Sequence, residues 1–212
     1  GSARYVEYAR DIRESGASLM TQVVHTMDEI DGAAHRIPSN GFRRGSMSGT
    51  MEIRPALARD APAISALALS VAHFFTLDRE GRGAEEFLQT LRPEAVALRL
   101  ATPSFTSWVG WGPGSTLAGV VVVRDGTHLF HLFVAESFQG RGWARQLWQH
   151  ALFHIATGPA PDVTVNATLR ARGFYERMGF VATGPAVETR GIAFVPMRRP
   201  GDASGSALWQ TT

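Results

Sequence analysis

Residues 128 to 152, HLFHLFVAESFQGRGWARQLWQHAL, run from a strand-like segment through a glycine-rich loop into a helix-like segment. Gln139-Gly140-Arg141-Gly142-Trp143-Ala144 falls at the expected helix start. There, unpaired backbone N–H groups and the helix dipole favour an anion. Gly140 and Gly142 let the backbone approach a phosphate closely, and Arg141 can add charge. The loop lacks the terminal Gly-Lys-Ser/Thr of a nucleotide phosphate loop and the third glycine of a dinucleotide fingerprint. On these residues alone it is either an anion cradle or a plain strand-to-helix turn. His150 and His154 stand four apart on the helix that follows. That spacing suits a metal, but the Glu that would follow the first His is absent, so packing or surface histidines are expected and no metal site.

Alternating elements must position this loop. Met51 to Pro55 reads as a strand, and Asp60 can cap a helix running to about Phe75. A second helical stretch covers about Ala84 to Ala101, interrupted at Pro93. Ser107 to Gly112 and Leu117 to Arg124 read as strands around the turn Gly112-Pro113-Gly114, and Asp125-Gly126 turns the chain into a third at His128 to Val134. Ala144 to Ala156 is a helix and Val163 to Asn166 a strand. Thr168 can cap a helix ending near Met178-Gly179. Phe180 to Thr189 and Gly191 to Met197 read as a closing hairpin. The four tryptophans at 108, 111, 143 and 148 are expected to pack, with Trp108 and Trp111 also able to line a cleft.

Composition narrows the classes. The chain has 212 residues, 44% hydrophobic and 19% charged, a globular balance. Cysteine is absent, which excludes a disulfide framework, a thiolate zinc site and a cysteine nucleophile. All 21 basic residues are arginine, scattered rather than blocked, and the net charge is only +2. No nucleic-acid footprint results. No apolar stretch is long enough to span a bilayer, and no secretory leader pattern is present, so a cytoplasmic protein with no membrane partner is expected.

The composition shifts near residue 50. Leu19, Val23, Met27, Ile30, Ala34 and Ile37 recur at helical steps, which predicts an amphipathic helical extension over residues 1–37. Residues 38–50, PSNGFRRGSMSGT, read as a linker. The domain is then expected over 51–198 and a flexible tail over 199–212. Gly1-Ser2 reads as a remnant of tag removal, and MEIRPA at Met51 as a natural start. Residues 16–37 also resemble, weakly, a fragment of a bacterial chemoreceptor coiled coil.

Three blocks in order carry a more specific resemblance: EIRPALARDAPAISAL at 52 to 67, the loop with Gln139, Gly142 and Ala144, and VNATLRARGFYERMGF at 165 to 180. Together with Gly119 in the third strand, they resemble the GNAT superfamily of N-acetyltransferases over residues 51–198. The resemblance implies an α/β fold. Its mixed, mostly antiparallel central sheet is splayed between strands four and five and flanked by helices. It implies acetyl-CoA as the acetyl donor, its pantetheine arm on the backbone of Leu132, Phe133 and Val134 and its pyrophosphate on Gln139, Gly140, Arg141, Gly142, Trp143 and Ala144. Asn166 matches a strand-five position facing the arm.

Tyr175 matches the family's tyrosine near the thioester sulfur. A phenol, with a pKa near ~10, is a proton donor at neutral pH and suits a general acid. It also reads as a core tyrosine. Backbone N–H near Val134 could meet the developing oxyanion. His131, on strand four, is the candidate base, against the alternatives of a packed histidine, Glu136 or a water chain. The family's acceptor site would use the segment His73 to Ala84, with Phe74, Phe75, Asp78 and Glu80 as candidate contacts. The expected function is N-acetyl transfer to an amine of a small molecule or peptide by direct attack in a ternary complex, in a bacterial protein whose assembly as a homodimer is open. The competing class is a non-catalytic acyl-CoA-binding or interaction module.

Overall fold

The computed structural model describes residues 23–24, 51–156 and 161–201. Eight strands form from 51 onward: β1 (Glu52–Pro55), β2 (Phe105–Gly112), β3 (Thr116–Arg124), β4 (His128–Val134), β5 (Val163–Ala167), β6 (Val181–Ala182), β7 (Val187–Thr189) and β8 (Ile192–Arg199). The helices are α1 (Ala61–Ser70), α2 (Glu85–Gln89), α3 (Pro93–Leu100), α4 (Trp143–Ile155) and α5 (Arg172–Arg177). The sheet order is β1-β2-β3-β4-β5-β8-β6, with β7 paired to β8. Neighbouring strands are antiparallel except β4 and β5. The mixed α/β architecture with a mostly antiparallel sheet is therefore as expected.

Two apolar layers cover the sheet. One face carries Leu147 and Trp148 of α4 and Phe174 and Tyr175 of α5 against Val121, Leu129, Leu132 and Val165. The other carries Ile64 and Leu67 from α1, Val71 just after it, Phe87 from α2 and Val96 from α3 against Val120, Val122, Phe130 and Phe133. Burying both faces is the physical reason that β3, VVVV at its centre, reads as a continuous apolar run instead of an alternating one.

Local chemistry shifts some expected boundaries. Pro93 divides the second helical stretch into α2 and α3, where it takes the first helical turn of α3 and so loses no intrahelical donor. Asp60 makes no side-chain cap to α1. Its carboxylate instead accepts from both terminal nitrogens of Arg54, at 2.7 and 2.9 Å, and from the Leu57 N–H at 2.8 Å. A bidentate ion pair outcompetes a neutral cap for the same oxygens. Thr168 does accept from the Ala171 N–H, 3.0 Å, at the start of α5.

The helix expected over the first 37 residues lies outside the described residues except at Val23–Val24. Those two form a short strand parallel to β5, opposite Asn166 and Ala167. The linker over 38–50 and most of the tail over 199–212 also lie outside them.

Candidate functional site

β4 has two unlike edges. Toward β3 it is in register from Arg124↔His128 to Gly119↔Val134. Toward β5 only His128↔Thr164 and Leu129↔Val165 are paired. The cause is a β-bulge: Val122 faces His131 while Val123 faces Leu129, so Phe130 is the extra residue. Immediately beyond the last β5 pair the bulge turns β4 away, and the two parallel strands open toward their C-terminal ends. The bulge also resets the faces. Leu129 and Leu132 share the α4 layer, and Phe130 and Phe133 the α1 layer.

The glycine-rich loop closes the α4 side of this opening. Gly142 precedes α4 with φ 75°, and Gly140 has φ 70°. Both lie in the left-handed region, and a Cβ at either position would meet nothing within 4 Å. The loop therefore needs glycine for its backbone path and presents open space to a ligand. Its N–H groups head a thirteen-residue helix. Gln139 donates from Nε2 to the Val134 carbonyl, 2.9 Å, tying the loop to the end of β4. The Arg141 guanidinium stands 5.9 Å over the Phe138 ring, and Phe138 stacks on Trp143, ring centres 4.6 Å apart. Trp143 and Ala144 are buried beneath the loop.

Tyr175 is fully buried on α5, against Phe180 at 5.3 Å, and its hydroxyl has no hydrogen-bond partner among the described residues. Desolvation pushes its pKa well above the usual phenol value, so the proton stays on the oxygen. An orphaned, protonated hydroxyl inside a core is costly unless a ligand completes it. His131 is also buried, with its Nε2 unpartnered among the described residues. Its ring lies between Phe130 and Phe133, each 4.8 Å away. Burial, then the nearby Arg99 and His128, hold its pKa well below the ordinary histidine value, so the ring is neutral. The structure does not bring the two together: Tyr175 belongs to the α4 layer, whereas His131 sits among the aromatics of the α1 layer.

Leu132, Phe133 and Val134 are buried along β4 beside the opening. Asn166 is half-buried on β5, and Val23–Val24 lies on the β4-facing edge of β5 at Asn166 and Ala167, because β8 occupies the other edge.

Of the four acceptor candidates, Phe74 lines an open cavity of about 310 Å³ with His73, Thr76, Leu77, Arg79 and Arg170. Phe75 is buried against Phe87 and Phe133. Asp78 accepts from Arg82 at Nε (3.0 Å) and Nη2 (2.6 Å), and Glu80 lies 3.5 Å from the same guanidinium. Glu136 is exposed, 3.5 Å from His73 Nε2. Trp108 packs against His150 and His154 under α4, and Trp111 lies beneath Arg54. Among the described residues there is no cluster suited to a metal, and no helix is long and apolar enough to cross a membrane. His73 and Arg79 lie within the segment His73 to Ala84 expected from the sequence, though not among its candidate contacts; Arg170 lies outside it, four residues past Asn166 in the turn that follows β5.

A family model described as an acetyltransferase (GNAT) domain matches residues 75–200. The chain belongs to the GNAT acetyltransferase family. As a GNAT protein it is a transferase of acyl groups. Solved structures agree in fold. PaiA N-acetyltransferase from Thermoplasma acidophilum, in complex with coenzyme A, is 15% identical with a TM-score of 0.57, over 71% of this chain and 99% of that one. A GCN5-related N-acetyltransferase from Rhodopseudomonas palustris is 20% identical with a TM-score of 0.51, over 79% of this chain and 99% of that one. The spermidine N-acetyltransferase SpeG N152L mutant from Vibrio cholerae is 18% identical with a TM-score of 0.50, over 70% and 92%. No curated protein matches the sequence. The resemblance of residues 16–37 to a chemoreceptor coiled coil is not borne out.

Proposed function

We propose that this GNAT protein transfers the acetyl group of acetyl-CoA to an amine of a small molecule or peptide, by direct attack in a ternary complex. The observation that carries the reading is the half-paired β4–β5 ladder with the left-handed Gly140 and Gly142 loop beside it. An extended, amide-bearing arm can add to the backbone of Leu132 to Val134, which β5 leaves unpaired, and a pyrophosphate can lie on the N–H groups of residues 139–144. Acetyl-CoA would supply a thioester as the activated acyl group. The neutral amine nitrogen would attack the thioester carbonyl, forming the C–N bond and breaking the C–S bond; the nitrogen would give up one proton to water and the departing thiolate would take one up.

Tyr175 is the candidate for that last step, since its hydroxyl keeps its proton and has no partner among the described residues, although its raised pKa makes it a weaker acid. His131 is neutral and so chemically able to accept the proton of an ammonium, through water, although its depressed pKa makes it a weak base. The domain that carries the activity is residues 51–198, in a cytoplasmic bacterial enzyme. Val23–Val24 occupies backbone of β5 at Asn166 and Ala167, so this short strand and the pantetheine arm are competitors for one opening.

Thermal unfolding with and without acetyl-CoA tests the reading. A ligand of the native state raises the melting temperature by mass action. A clear upward shift is expected for the full chain. Gly142→Trp should remove it, because the indole fills the space over the loop. An unchanged melting curve at saturating acetyl-CoA defeats the proposal.

A further inference from the structure

The cavity lined by His73, Phe74, Thr76, Leu77, Arg79 and Arg170 carries two arginines and, among the described residues, no acidic side chain in its lining, with Glu136 beside it at 3.5 Å from His73. The loop's own carboxylates turn elsewhere, Asp78 onto Arg82 through two side-chain bonds and Glu80 toward the same guanidinium. Arg79 is exposed and has no carboxylate partner among the described residues. Arg170 lies 4.6 Å over the face of Phe74, which fixes one guanidinium above an aromatic floor. The cavity also sits at the right end of the sheet. Arg170 follows the C-terminal end of β5, and His73 reaches Glu136, two residues past the end of β4. Those are the two ends that diverge at the opening.

From this we infer that the amine acceptor carries an anionic group, a carboxylate or a phosphate, which Arg79 and Arg170 receive while the amino group points into the opening between β4 and β5. Guanidinium forks match the planar oxygens of both anions. The inference rests on the acyl-transfer reading above and names its substrate class. A polycation is the acceptor that this cavity disfavours, since its charges would meet two arginines.

The test measures release of free CoA thiol from acetyl-CoA with five sets of amines: free α-amino acids, O-phosphoethanolamine, amino-acid amides, tyramine and spermidine. Turnover is expected for amines of the first two sets, and the comparison between them separates carboxylate from phosphate recognition. Arg79→Gln and Arg170→Gln should each lower kcat/KM for the best anionic amine by about tenfold or more, the worth of one charge-assisted hydrogen bond. Neither should change the melting shift produced by acetyl-CoA. Arg79 is exposed, so its variant keeps the test valid if Arg170→Gln disturbs the fold. Preference for spermidine or for the neutral amides overturns the inference. So does absence of turnover with every anionic amine while the acetyl-CoA shift persists. Absence of the shift itself would instead remove the acyl-CoA reading on which the inference stands.

Discussion

The two edges of β4 show the same seven residues put to opposite uses. On the β3 edge the ladder runs the length of the strand, and Gly119 lets it close. A Cβ there would stand 2.9 Å from the Phe133 carbonyl oxygen and 2.6 Å from Leu147 Cδ1. On the β5 edge two pairs form and the ladder stops. The closed edge fixes the strand, which allows the other edge to stay open without the sheet coming apart. One bulged residue, Phe130, separates the two regimes.

The largest expected effect is on the open side. If Tyr175 protonates the leaving thiolate, Tyr175→Phe removes only the hydroxyl. Turnover should then fall by roughly 10²–10⁴, the usual worth of general acid–base help, with acetyl-CoA affinity nearly unchanged. Near-normal turnover with chemistry rate-limiting would make Tyr175 a packing residue, and the contrast between the edges would lose its catalytic half.

A smaller effect belongs to the closed side. Gly119→Val pushes a branched side chain against a backbone carbonyl and the α4 leucine, and overpacking of this kind costs about 1–3 kcal/mol. The urea midpoint should drop accordingly without loss of the unfolding slope. Unchanged stability would mean that β3 and β4 can part as easily as β4 and β5.

The smallest effect is a slope. Desolvation, then Arg124, holds His128 down to about 4, and His131 lies well below its ordinary value. The unfolded chain protonates both near ~6.5, so between there and about 4 it binds more protons than the fold does. This contribution is fully present above ~6.5 and is lost as pH falls through that window. Denaturant midpoints should decline from pH 7 to pH 4.5, and His131→Phe should flatten the decline. An equal slope in the variant would show that His131 titrates normally and that its place between the two phenylalanines is wet.

Much of this was legible in the sequence. His128 to Val134 forms the strand expected from it, and the loop at 139–144 stands at a helix start because the glycines there need a left-handed backbone. The bulge was written in the residues too. HLFHLF repeats every three positions, whereas an unbroken strand alternates every two. The repeat can satisfy both layers only if one residue is extra, which is how Leu129 and Leu132 come to share a face. The Arg54–Asp60 pair was hidden for a different reason. Asp60 looks like a helix cap, and nothing local says that a cation six residues earlier will take both its oxygens. The cavity with its two arginines was hidden by distance, since Arg170 is about a hundred residues from Phe74 and only the fold stacks them.

The hairpin between β7 and β8 braces the cavity's outer wall. Leu77 donates to the Gly191 carbonyl at 2.8 Å, Thr76 bridges Ile192, and Arg190 reaches Glu86 at 3.0 Å. Gly191 lies so close to Gly83 that a Cβ would stand 2.5 Å from its carbonyl oxygen. On the ribosome the wall segment is made more than a hundred residues before its brace. Synthesis runs from the N-terminus, so the glycine-rich loop can settle on its helix while the cavity wall still waits for residues 190–192 to emerge. The wall of this cavity is thus closed by one of the later turns of the chain to be made.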